Sequence, residues 1–240
     1  MTGKYPREAL HLIDRLGLYS VIFTDPTKEP PCSPATENWK LVYDCLETLQ
    51  RNKTPGSIYD TLVRSEDAQF VAWILAAVAP WSSVPLPEAK VGAKIPLPYA
   101  TLVGREGIKV NNKISDIITA SFRNSAEITT LRDAILEKYA YVNERDTVGM
   151  MIRRWDWTGK NWRLEVMLAI FVEVLNKGQA GKFHPERTYL SPVQLTWYRD
   201  RLYRNIRKLA NLHRSPRSHG SHERAYHTTK SKRRPTTSST

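Results

Sequence analysis

Apolar residues recur along the chain at the three- and four-residue spacing of a helical face, and nowhere with the strict alternation of a half-buried strand. Ala9, Leu12, Ile13 and Leu16 predict a first helical face, and Gly17 is suited to ending it. Trp39, Val42, Tyr43, Leu46 and Leu49 repeat the spacing. Between these two, Asp25-Pro26 through Pro34 carries four prolines, which remove backbone donors and fix φ, so the stretch reads as a loop. A third helix is expected from about Ile58 to Val78. Its second half, with Phe70, Trp73, Ile74, Ala77 and Val78, is apolar on most sides, as a central buried helix should be.

Pro80, Pro85, Pro87, Pro96 and Pro98, with Gly92, Gly104 and Gly107, then mark an irregular connector. Beyond it, Ile114, Ile117, Ile118 and Phe122 form one face and Leu131, Ile135 and Tyr139 the next. Val148, Met151, Ile152 and Trp155 form a third, with Asp146 placed to cap it. Trp162, Val166, Ala169, Ile170 and Val174 continue the series up to Lys177-Gly178. Ser191-Pro192 opens a last helix whose Leu195, Leu202, Ile206 and Leu209 share one side. About eight helices and no strand define an all-α protein. The pattern divides the chain into a helical body part at 1–84, a connector at 85–105, a helical tail part at 106–212 and a basic extension at 213–240. The extension, rich in Ser, His, Arg, Lys and Thr, has too little apolar surface to offset its ordering entropy and is expected to be disordered.

Composition adds that 41% of residues are apolar, enough to bury a core. Charge adds more. The net charge is +12, but residues 197–240 hold 12 Lys and Arg against Asp200 and Glu223, leaving 24 basic and 22 acidic residues in all the rest. A basic cluster of this kind attracts polyanions by releasing their counterions, so nucleic acid leads the expected partners, an anionic membrane surface comes second, and a solvated tail with no partner is the alternative. The most apolar run, Phe70 to Val78, is too short to cross a bilayer, and no membrane role is expected. The first residues, Met1 to Pro6, lack the apolar stretch of a signal peptide, and the two cysteines, Cys32 and Cys45, fit reduced thiols in an intracellular compartment.

Catalytic signatures are sparse. Phosphoryl or nucleotidyl transfer requires close carboxylates that hold divalent metal, usually beside a Gly-rich backbone. Only Glu144 and Asp146 stand two apart, at an expected helix start where capping is the simpler role. No Gly-rich phosphate loop, nucleophile elbow or His-Glu-x-x-His is present, so no residue is assigned as catalytic or metal-binding and no cofactor is expected in this chain.

Several segments carry a family likeness. Ala9 through Phe23 (ALHLIDRLGLYSVIF), Lys109 through Ile118 (KVNNKISDII), and Arg145-Asp146 with Gly149, Ile152-Arg153 and Trp162 occur in order. Together they resemble the body and tail of fungal CCA-adding enzymes, the tRNA nucleotidyltransferases of the poly(A) polymerase type, over about residues 1–210. That resemblance implies a head with metal-binding carboxylates, a neck that selects CTP or ATP through an Asp and an Arg, and a helical body and tail that hold tRNA. The head's Gly pair and paired Asp, and the neck's Glu-Asp-x-x-Arg, have no counterpart here. The chain is therefore expected to be an incomplete piece, inactive alone, with magnesium, CTP and ATP belonging to a catalytic head supplied in a full-length protein. Full-length members are mitochondrial, cytoplasmic or nuclear.

RNA read by shape is gripped through phosphates and 2′-hydroxyls, which calls for Lys, Arg and Asn on rigid helices. Two groups fit. Lys109, Asn111, Asn112 and Lys113 precede an apolar helical face, where their polar groups should be free. Arg153, Arg154, Lys160 and Arg163 surround Trp155 and Trp157 in a basic and aromatic cluster able to stack on exposed bases, or else simply to close a helical hairpin. The competing expectation is a stand-alone RNA-binding or adaptor protein with no transferase role.

Overall fold

The computed structural model describes residues 5–26, 30, 32–52, 54–88, 92, 94–159 and 161–179. Among these residues the chain is all helical, with nine α-helices and no strand. They are α1 (Pro6–Arg15), α2 (Tyr19–Ile22), α3 (Trp39–Arg51), α4 (Ile58–Leu62), α5 (Glu66–Val78), α6 (Tyr99–Leu102), α7 (Asn112–Glu137), α8 (Arg145–Gly159) and α9 (Trp162–Gln179). The all-α expectation holds. The last expected helix, the 213–240 extension and Lys160 lie outside the described residues.

Local chemistry sets the helix ends. Gly17 adopts φ +64, its N–H bonds the carbonyl of Asp14, and Leu18 N–H bonds that of Ile13, which closes α1 with a Schellman turn. Ser57 and Ser65 accept hydrogen bonds from the N–H groups of Asp60 and Ala68, so each caps a new helix. The helix expected over 58–78 is thereby split into α4 and α5. The signal was Ser65 followed by Glu66 and Asp67, a cap with acids in the first turn.

Three other expectations change. In α1 the fully buried residue is Leu10, while Ala9, Leu12 and Leu16 are exposed and Ile13 is half-buried. The inward face is rotated because the polar side of α1 docks on α3. Arg7 bonds Asp44 at 2.7 Å and lies 3.3 Å from Glu47, and Tyr43 donates to Asp14 at 2.9 Å. Second, the face at 114–122 and Leu131 and Ile135 of the next belong to one 26-residue helix, α7, which meets different neighbours along its length, while Tyr139 lies past its end and is exposed. Third, α8 starts at Arg145, so Asp146 sits inside its first turn instead of capping it. The connector also ends less irregularly than its prolines suggested, in α6 and a π-helical turn, Val103–Gly107.

One apolar core runs from Leu10 in α1 to Leu175 in α9. Every residue of α5 from Val71 to Val78 is buried, as expected of the central helix. Trp39 and Tyr19 donate to the carbonyls of Ala76 and Ala77 at 2.9 and 3.0 Å, satisfying acceptors in the last turn of α5. Helix α9 packs on α7 from one side and on α3 and α5 from the other, so residues before and after the connector share the core.

Candidate nucleic-acid interface

The first group of expected contacts surrounds the start of α7. After the π-helical turn, Lys109 takes φ +56 and Asn111 caps the helix, its Oδ1 accepting from Ile114 N–H at 3.0 Å. Asn111 is thus committed to the backbone. Lys109 Nζ lies 3.3 Å from Glu106, an exposed pair of little energetic weight. Asn112 and Lys113 are exposed. Beneath them Arg105 donates to Ser115 at 2.5 Å and approaches Asp116 at 3.9 Å. The turn is held from behind by residues 22–24. A Cβ at Gly107 would stand 2.4 Å from the carbonyl oxygen of Thr24, so only glycine permits that approach.

The second group is split by the fold. Trp155 is buried and donates to Glu127 Oε2 at 2.9 Å, while Arg154 pairs with the other oxygen of the same carboxylate. Residues two apart point about 200° from each other around a helix. The anchored Trp155 therefore turns Trp157 outward, where it is 87% exposed. Arg153 is exposed beside it, its only described hydrogen bond reaching Met150 Sδ at 3.8 Å. Arg163 is half-buried, with its guanidinium 4.7 Å from the centre of the Trp162 ring. Asp156 accepts from Trp162 N–H at 3.0 Å and fixes the turn into α9.

The two groups do not form one patch. Lys113 and Glu127, which marks the level of Trp155, stand about 20 Å apart along α7 at the roughly 1.5 Å rise per residue of an α-helix. Sequence reading missed the residues that set this geometry. Glu127 and Asn124 of α7 are polar positions on a helix that also carries exposed ones, and nothing in their own vicinity marks them. Glu165 did carry a signal, as an acid inside the apolar run from Leu164 to Phe171. It is fully buried and accepts from Asn124 Nδ2 at 2.7 Å. Burial pushes its carboxyl up to about 7, the Asn124 hydrogen bond opposing and nearby Asp156 adding to the rise.

Among the described residues no group of three or more His, Cys, Asp or Glu side chains is placed to hold a metal ion. Glu144 instead accepts from the Thr147 hydroxyl at 2.8 Å. No described helix is long and apolar enough to cross a membrane.

Over most of its length the chain is similar in sequence to part of a protein named as a nucleotidyltransferase. The similarity is to the Nucleotidyltransferase lcsQ of Purpureocillium lilacinum, 41% identical over 171 residues, which are 71% of this chain and 29% of that protein. The chain thus spans under a third of the length of the relative it matches. No family model matches the chain, and no solved structure does.

Proposed function

We propose that this chain is the tRNA-holding helical portion of a CCA-adding nucleotidyltransferase. The observation that carries the reading is the 41% identity to a nucleotidyltransferase over most of the chain. The likeness of Lys109–Ile118 and of the Arg145–Trp162 motif to the CCA-adding family narrows it. Physical support comes from the charge of +12 and from the exposed Lys113, Arg153 and Trp157.

In this role the chain does no chemistry. Lys109, Asn112 and Lys113 at the start of α7 and Arg153 on α8 contact phosphates and 2′-hydroxyls from two rigid points about 20 Å apart, a spacing suited to reading the shape of a folded RNA. Asn111 and Arg154 support these contacts by holding the helix start and the helix register. Catalysis, with its magnesium, CTP and ATP, belongs to other parts of such an enzyme.

Competition binding and an activity assay test this. Intact tRNA should displace a labelled tRNA from the 240-residue chain at least about tenfold better than an unstructured RNA of equal length. With tRNA lacking its 3′ end, CTP, ATP and magnesium, the chain should incorporate no nucleotide. Equal competition by both RNAs would favour a general RNA-binding protein, and clear incorporation would contradict the assignment of chemistry elsewhere.

A further inference from the structure

We infer that Trp157 is a stacking platform for an unpaired base, with Arg153 placed to hold the adjoining phosphate. The inference rests on the RNA-binding reading above and assigns a distinct job to one face of α8.

The face is defined by three residues at helical spacing, Met150, Arg153 and Trp157, all exposed. An indole that is 87% exposed leaves a large apolar plane in water, and the surrounding structure fixes it there. Glu127 holds Trp155 inward through its Nε1 and holds Arg154 through its guanidinium. With α8 gripped at two adjacent positions, Trp157 cannot rotate into the core without breaking both contacts. The helix therefore presents the indole to solvent before any ligand arrives, and stacking has only the rotamer freedom of that one side chain to overcome.

Charge selects the occupant. Arg153 makes no ion pair with any described residue. A cation beside a flat aromatic surface matches a nucleobase with its phosphate, and stacking of this kind tolerates any base. A stable protein interface buries about 800 Å² on each partner, far more than Met150 and Trp157 present. Duplex RNA hides its base faces inside the stack, so a single-stranded or looped segment is the ligand this face fits. The start of α7, with lysines and no exposed aromatic, suits the duplex backbone instead.

The test uses the 240-residue chain with 5-fluorotryptophan at its seven tryptophans, the Trp157 resonance being identified by its loss in W157F. Oligouridylate, a blunt RNA hairpin and anionic vesicles are titrated separately, and affinities are measured for wild type, W157A and W157F. Oligouridylate should shift the Trp157 resonance. W157A should weaken oligouridylate binding roughly 5- to 100-fold, the range set by one base–aromatic stack, while W157F retains most of it and hairpin affinity changes less than about twofold. If both RNAs bind wild type and W157A equally well, stacking is wrong while the RNA-binding reading stands. If neither RNA binds, that reading fails and stacking falls with it. A Trp157 shift with vesicles but not with oligouridylate would assign the face to a membrane surface and overturn the inference.

Discussion

The two ends of the core are built on different chemistry. Around α3, Tyr19, Phe23 and Tyr43 pack edge to face on Trp39, with ring centres 4.6–5.8 Å apart, and the polar atoms of Tyr19 and Trp39 reach backbone carbonyls of α5. Around α7, α8 and α9 the contacts pass through acids instead: Glu127 to Trp155 and Arg154, Glu165 to Asn124, and Glu173 to Arg132 at 2.7 Å. The first region draws most of its strength from buried area, its ionic contacts being confined to the α1 side, where Arg7 meets Asp44 and Glu47 and Tyr43 donates to Asp14. The second sets directions, fixing which face of α8 looks outward, and carries a titrating group in its interior. Buried polar contacts of that kind specify geometry more than they stabilise.

That contrast is open to direct attack. The largest effect should come from Trp39→Ala, which empties the aromatic cluster and leaves the Ala76 carbonyl without its donor. A loss of about 3–5 kcal/mol is expected in urea unfolding, nearly the same at pH 5 and pH 8. A smaller loss, or one that varies with pH, would show that the α3 end is not the apolar anchor.

Glu165→Gln should act in the opposite way. The folded chain keeps a proton on Glu165 up to about pH 7, whereas the unfolded chain releases it near 4.5, so this residue makes stability fall as pH rises between those values. The amide carries no such charge. Relative to wild type, the variant should gain about 2–3 kcal/mol between pH 4.5 and pH 8. A wild-type and variant difference that stays flat across that window would remove Glu165 as the titrating group.

Gly107→Ala probes the seam between the two regions, where residues 22–24 press on the turn before α7. The added methyl collides with the Thr24 carbonyl, and thermal unfolding should report a loss of about 1–3 kcal/mol. The mildest change is Lys138→Gly. Lys138 closes α7 at φ +60, with Tyr139 N–H bonding the Ala134 carbonyl, a conformation that glycine adopts without strain. A gain of about 0.5–1 kcal/mol in urea unfolding is expected.

What the sequence made legible follows the same division. The stripe of Trp39, Val42, Tyr43, Leu46 and Leu49 was readable because burial there obeys helical periodicity alone, and all five are buried. The stripe of α1 was misread because ion pairs to Asp44 and Glu47, some 37 and 40 positions away in sequence, decide which side faces inward. At the candidate interface the basic and aromatic residues of α8 stood out from composition and spacing. Which tryptophan is anchored and which is presented depends on Glu127, 28 residues earlier in the chain, and no local pattern encodes that pairing. Asn111 was expected to be free for RNA because it precedes an apolar face. The same position makes it the natural cap, and the cap takes precedence.

Binding of tRNA through its phosphates, the role proposed for this chain, is put to the test by a filter-binding titration of the 240-residue chain with tRNA between about 50 and 200 mM salt. Tight binding is expected at low salt, with a linear fall of log affinity with log salt that amounts to several powers of ten if half a dozen phosphates are contacted. Absence of binding at the lowest salt, or affinity that ignores salt, would contradict it.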